Sequence, residues 1–245
     1  ICGTINLYHE LMELPVFQDN LKSSGGWAPV LNQAREEWSV ANARLDLQSR
    51  ALVHQAEQTV LRAQQRGIEI KQANFFAAAQ YVFALSREPE ARLTLDALLK
   101  INCTIAGTTE GINVWRQGDV AQINQAHEPP PAIIVQRLLE NALDWFSMPS
   151  VTEMNPVEQA ALVYLRLLDI SPFEFAQEPT ALLAASFYTE RAGLPPIIIP
   201  ADDATIQNYQ TALGSAFRML TQPLVEFFAN CLIKTMRLTL AERTQ

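Results

Sequence analysis

Histidine and cysteine are scarce in this chain. Its 245 residues hold 3 of each, and neither set is arranged for chemistry. His9, His54 and His127 fall in a tail, a long helical stretch and a loop. None has paired-ligand spacing, so they read as solvated or locally hydrogen-bonded side chains rather than as a zinc site. Cys2, Cys103 and Cys231 are far apart and odd in number, which argues against a disulfide framework or a metal knuckle. Reduced thiols in a cytoplasmic protein are the expectation. Positive charge is also short: 18 Lys+Arg against 26 Asp+Glu gives a net charge of −8. A nucleic-acid partner is not expected, because such binding needs a basic footprint to displace counterions from phosphate. No segment approaches the roughly 18 consecutive apolar residues of a membrane helix. The longest candidate, Pro223 to Ile233, is interrupted by Glu226 and Asn230, so no membrane partner is expected. The sequence begins at Ile1, and a leader ahead of it is left open.

What is present is helical patterning over a hydrophobic fraction of 49%, enough for a sizeable core. The length allows one large domain, or a domain with an extension. After Ser23, Ser24, Gly25 and Gly26, apolar residues recur at Leu31, Trp38, Leu45 and Leu52, with Ala34 and Ala41 on the same stripe. This heptad-like face predicts one long amphipathic helix closed by Gly67. Gln48 and Gln55 interrupt its second seam. That favours packing against the next helix, Gln72 to Leu85, although a homodimer seam stays open. Thr94 is the predicted cap of another helix stopping at Gly107. Residues 113–116 and 120–123, joined around Gly118-Asp119, predict a short β-hairpin. Pro129-Pro130-Pro131 leads into a helix over 132–146. Asn155-Pro156-Val157-Glu158 is a helix start: a capping side chain, a first-turn proline and an acid three residues on. The helix it opens runs to about Asp169. Further helices are predicted at about 180–192, after Asp202-Asp203, and from about Thr221. There is no internal repeat and no strand–helix alternation, so the class is mainly α.

The order of these elements resembles the Fic (Fido) family, whose members typically transfer AMP from ATP to a protein hydroxyl. The resemblance runs over roughly 93–235. It includes the helix from Val157 to Ile170 feeding Pro172-Phe173, the Arg191-Ala192-Gly193-Leu194-Pro195-Pro196 turn, and Gln222-Pro223-Leu224-Val225-Glu226-Phe227 as the closing helix. It implies a helical bundle with a short β-hairpin flap at Val114, Trp115, Arg116 and Val120 that holds a protein or peptide target. It also implies a Fic-like core over 91–245, with 1–90 as an N-terminal helical extension.

The catalytic loop departs from the family pattern His-x-Phe-(Asp/Glu)-x-Gly-Asn-Gly-Arg-x-x-Arg. Aligned without gaps, Ser171 takes the histidine position, while Phe173 and Glu174 are kept. Ala176, Gln177 and Glu178 replace Gly-Asn-Gly, and Pro179 and Leu182 replace the arginines. Serine does not take up a proton at neutral pH as a general base does. Ala176 and Glu178 put bulk and negative charge where glycines admit polyphosphate to a helix N-terminus. Proline and leucine donate no side-chain hydrogen bond to phosphate. Only Glu174 could still hold a metal ion, so no cofactor is expected. ATP and Mg²⁺ enter only if the chain is a divergent transferase of the family, with Glu174 and Gln177 as remnants.

Many family members also carry an inhibitory (Ser/Thr)-x-x-x-Glu-(Gly/Asn) helix whose glutamate pairs with the second loop arginine. Here the nearest segment, Gln65-Arg66-Gly67-Ile68-Glu69-Ile70, lacks the hydroxyl and the final Gly/Asn. Simpler roles exist for each residue singled out. Ser171 has no nucleophile elbow around it and suits helix-end hydrogen bonding. Glu174 and Glu178 suit a solvated acidic loop, and Trp115 could lie on the body with Arg116 outside. The leading expectation is a pseudoenzyme acting through protein contacts at the flap; a helical scaffold or regulatory subunit is the other alternative.

Overall fold

The structure, a computed structural model, describes residues 26–108 and 114–241. Cys2, His9, Ser23, Ser24, Gly25 and Asn113 lie outside the described residues. Among the described residues ten α-helices follow one another: α1 (Trp27–Leu45), α2 (Leu47–Gln65), α3 (Gln72–Arg87), α4 (Leu95–Ala106), α5 (Val135–Phe146), the single-turn α6 (Pro149–Thr152), α7 (Pro156–Ile170), α8 (Gln177–Arg191), α9 (Asp203–Ala216) and α10 (Gln222–Ala241). The mainly α class holds. No helix among the described residues is long and apolar enough to cross a membrane.

Side chains that satisfy the orphan backbone groups of a first turn set several helix starts. Thr94 Oγ1 accepts from the Ala97 amide at 3.2 Å, Asn155 Oδ1 from Val157 at 2.9 Å, and Asp202 Oδ1 from Thr205 at 2.9 Å. Gly107 and Gly193 close α4 and follow α8 at φ 68° and 75°, the left-handed conformation glycine adopts without steric cost.

The antiparallel pair α7 and α8 forms the centre. Leu162, Val163, Tyr164 and Leu168 of α7 and Leu182, Ala184, Ala185 and Phe187 of α8 are all buried. Such all-round burial explains why α8 lacks an amphipathic stripe and is rich in alanine, serine and threonine. α3 and α4 pack on α8, α5 and α10 on α7, and α1 lies along α10. Residues from Leu31 to Met236 join one hydrophobic cluster.

Two expectations change. The predicted long helix is broken at Asp46, which takes the left-handed conformation at φ 49°, one that aspartate tolerates better than most residues. Asn42 spans the break, its Oδ1 accepting from the Gln48 amide at 2.9 Å. The apolar stripe is therefore divided. Trp38 packs toward α10, donating to Thr239 Oγ1 at 3.0 Å, while α2 packs on α3 as expected. The second change concerns 113–123. Among the described residues these segments do not pair with each other, and the one bridge joins Trp115 to Phe173 in antiparallel sense. The cause is Arg116, whose side chain turns inward and draws its own segment onto the chain beyond α7.

The glutamines that interrupt the α2 seam are buried connectors. Gln48 Nε2 donates to Glu190 Oε1 at 3.0 Å, and Gln55 Nε2 donates to Ser186 Oγ at 2.9 Å and to the Ile197 carbonyl at 3.0 Å. Glu190 is only 1% exposed and its Oε2 has no partner. Burial lifts its pKa well above the ordinary 4.5, with Arg87 and Gln48 pulling it partly back. A carboxyl raised in the folded state favours folding fully below pH 4.5, and that contribution is lost as pH rises toward the folded pKa. Glu190→Gln is therefore expected to melt above the wild type at neutral pH, with the gap closing below pH 4.5, as thermal unfolding across pH checks.

Candidate functional site

The link between α7 and α8, Ser171 to Ala176, is the segment on which the other elements converge. It turns at both ends through left-handed residues that are not glycine: Ser171 at φ 45° and Ala176 at φ 53°. Ser171 is fully buried, its amide donating to the Leu167 carbonyl at 2.9 Å and its hydroxyl to Leu168 at 2.7 Å. It caps the end of α7, its hydroxyl proton committed to a backbone carbonyl. Gln177 folds back on Phe173, accepting from its amide at 3.1 Å and donating to its carbonyl.

The link is held from three directions. Along one side, the Arg116 amide donates to the Pro172 carbonyl at 3.1 Å and the Glu174 amide to Val114 at 2.9 Å. Trp115 stacks on Phe173 with ring centroids 5.9 Å apart. Arg116 is 2% exposed. Its guanidinium donates to the carbonyls of Ser171 at 2.6 Å, Gly118 at 3.0 Å, Ile170 at 3.5 Å and Pro130. This places a cation at the C-terminal end of α7, where the helix dipole favours one. Burial lowers the pKa of Arg116, and Asp119 and Glu174 offset part of that. Behind the link, Asn102 of α4 donates to the Phe175 carbonyl at 2.8 Å and to Thr180 Oγ1 at 3.0 Å.

The third hold is ionic. Glu178, in the first turn of α8, is 7% exposed. Its Oε1 lies 3.0 Å from Arg62 Nη2 of α2, and its Oε2 is paired with Arg66 Nη1. Burial works to lower the pKa of Arg62, but Glu178 and then the two neighbouring tyrosines outweigh it, so the guanidinium stays charged. Those tyrosines, Tyr164 and Tyr209, share a hydrogen bond of 2.6 Å, and burial pushes the pKa of both upward.

This bundle is similar in sequence to curated proteins named "Protein adenylyltransferase Fic". The one from Nematostella vectensis is 26% identical over 167 residues, covering 68% of this chain and 39% of the relative. The one from Drosophila willistoni is 29% identical over 167 residues, covering 66% and 32%. Among solved structures, Fic-1 from C. elegans superposes with a TM-score of 0.69 at 20% identity, over 99% of this chain and 76% of that one. A Fic domain containing signaling protein from Bacteroides thetaiotaomicron gives 0.70 at 16% identity, over 86% and 96%. IbpAFic2 covalently tethered to Cdc42 gives 0.55 at 15% identity, over 76% and 62%. The chain is similar in sequence to the Fic adenylyltransferases and carries the fold of the Fic structures. It spans about a third of the length of the curated relatives, and no family model matches it.

Against the Fic pattern, the structure brings Ser171, Phe173, Glu174, Gln177 and Glu178 into one turn. Their side chains do not converge on a common point. Phe173 is buried under Trp115, Glu174 is exposed with Oε2 accepting from the Gln117 amide at 3.2 Å, and Gln177 is committed to the Phe173 backbone. Pro179 lies in the first turn of α8, and Leu182 is fully buried in the core. Val114 is buried and Val120 is partly exposed, on an irregular segment in place of the predicted hairpin. Arg116 is buried rather than outside, because four carbonyls around the link need its donors. Glu178 is not in a solvated acidic loop, because two arginines hold it inside. His127 is buried rather than solvated, stacked on Phe217 at 4.4 Å, with Nε2 at 2.9 Å from the Asp169 carbonyl.

The ATP and Mg²⁺ of the Fic family do not fit the residues present. A clamped carboxylate fills the N-terminal turn of α8, and the side chains at the two arginine positions carry no donor. Among the described residues no group of three His, Cys, Asp or Glu side chains is placed to hold a metal. Sequence reading missed Arg62, Arg66 and Asn102. Arg66 did stand in the segment nearest the inhibitory motif. The polarity is the reverse of that motif: here Arg62 of α2 and Arg66 at its end supply the cations, and the first turn of α8 supplies the carboxylate.

Two variants check this account of the link. Ala176→Gly relieves a left-handed alanine and is expected to stabilise the fold by about 0.5–1 kcal/mol. Arg116→Ala leaves several carbonyls without their donor and is expected to cost about 2–4 kcal/mol in denaturant unfolding. Arg116→Lys should recover little of that, since a point ammonium cannot reproduce the planar fork.

Proposed function

We propose that this chain has given up adenylyl transfer and works as a Fic-fold protein-binding module, a pseudoenzyme. The observation that carries the reading is the clamped Glu178 at the head of α8, the turn through which a Fic loop would handle phosphate. A buried carboxylate there fills the turn and opposes an incoming polyphosphate, and its two arginines are already engaged by it. In this reading, residues 91–245 are the Fic-like core and the extension has a physical task. Its helix α2 supplies the cations that keep the former catalytic turn closed.

The binding surface of this proposal is the segment from Val114 to Val120. Val114 to Arg116 is fixed by pairing to the link, so a target segment would meet an ordered edge there. Beside it opens a groove of about 920 Å³ lined by Tyr81, Leu85, Leu99, Lys100, Val114 and Trp115 among others. Glu88, Glu90 and Asp96 add acidic groups to the same groove. Aromatic and aliphatic walls with both signs of charge suit an extended peptide better than a phosphate ester.

Calorimetry with ATP, with and without Mg²⁺, on the wild type and Glu174→Ala, tests the reading. The expected result is no heat at millimolar ATP in any arm. Micromolar binding that disappears in Glu174→Ala would overturn it and make the chain a divergent transferase.

A further inference from the structure

The Glu178 cluster has more donors than its acceptor can use. Arg62 is 5% exposed, and only its Nη2 reaches Glu178; its Nε and Nη1 are buried with no partner. Arg66 approaches the other carboxylate oxygen with a third of its side chain still exposed. Two guanidinium groups thus face one carboxylate, leaving one positive charge in excess. Among the described residues, the other groups that act on Arg62 are two tyrosines and a thiol. Tyr164 and Tyr209 are held neutral by burial, and burial pushes the Cys231 thiol up to about 12. The first turn of α8, which carries Glu178, adds the positive end of the helix dipole. α8 has no side-chain cap of its own.

A buried, donor-rich pocket lined by two planar forks is the chemistry of an oxyanion site. Here the anion is part of the chain. We propose that Glu178 is the internal occupant of an oxyanion site built by Arg62 and Arg66, and that shortening this side chain opens the site to a free small oxyanion, a carboxylate or a phosphate. Truncation at Cβ removes the bulk of an acetate ion and leaves both guanidiniums without a counter-charge. The surplus donors on Arg62 favour phosphate, which offers more acceptor oxygens than acetate. The inference rests on the reading that the turn is closed to nucleotide in the wild type, and it assigns the closure to one replaceable side chain.

The experiment measures the thermal midpoint of Glu178→Ala and wild type in sodium chloride, acetate or inorganic phosphate at matched ionic strength. In Glu178→Ala, acetate or phosphate at about ten-fold excess over its dissociation constant is expected to raise the midpoint by about 3–6 °C relative to chloride. The wild type, and a Glu178→Ala/Arg62→Met double variant, are expected to show no such preference. If Glu178→Ala does not fold in chloride, the readout becomes the yield on refolding from denaturant, expected to recover in acetate or phosphate. A midpoint or refolding yield that responds to oxyanions no more than the wild type does would overturn the proposal. ATP binding by the wild type would instead overturn the nucleotide-silent reading and leave the anion response of Glu178→Ala to be judged separately.

Discussion

A carboxylate held between two guanidiniums is the contact on which this arrangement depends. Glu178 begins the most deeply buried helix of the bundle, and its charge must be matched inside the protein. An unpaired buried carboxylate would cost several kcal/mol, so α2 must lie where Arg62 and Arg66 can reach it. That requirement fixes the helical hairpin of α2 and α3 against α8. In the proposed reading the same contact also closes the turn to phosphate, so that structural stability and a silent site are two effects of one interaction.

Much of the scaffold was legible in local chemistry. Thr94, Asn155 and Asp202 announce helix starts because a cap is made with residues two or three positions away, and Gly107 and Gly193 announce stops for the same reason. The loop departures at Ser171, Ala176, Glu178, Pro179 and Leu182 could be read directly against a pattern. What escaped sequence reading depends on distant partners. Glu178 reads as a solvated acid until Arg62 and Arg66, more than a hundred residues earlier, are brought against it. Val114 to Ile123 alternates like a hairpin, but the carbonyls at the end of α7 draw Arg116 inward and pair its segment elsewhere. The break at Asp46 has only a weak local signal, since the stripe of Leu31, Trp38, Leu45 and Leu52 runs through it.

The turn is also held in an unfavourable shape. Ala176 stands where the Fic pattern has glycine and takes a left-handed backbone that its side chain makes less favourable. Fold and site have separate physical requirements: the path is over-determined by Asn102, Arg116 and the core, whereas phosphate chemistry needs each of several side chains at once.

Gln48, Gln55 and Arg62 stand seven residues apart on α2, and they meet Glu190, Ser186 and Glu178 in descending order along α8. This spacing makes the interface a graduated scale. An apolar seam tolerates sliding, because one leucine replaces another with little loss. Here a slip of α2 by one turn, about 5.4 Å, would unseat all three polar pairs together and leave each group buried without a partner. The axial position of α2 is therefore set digitally, and the ion pair at the end of the scale is placed by the two rungs before it.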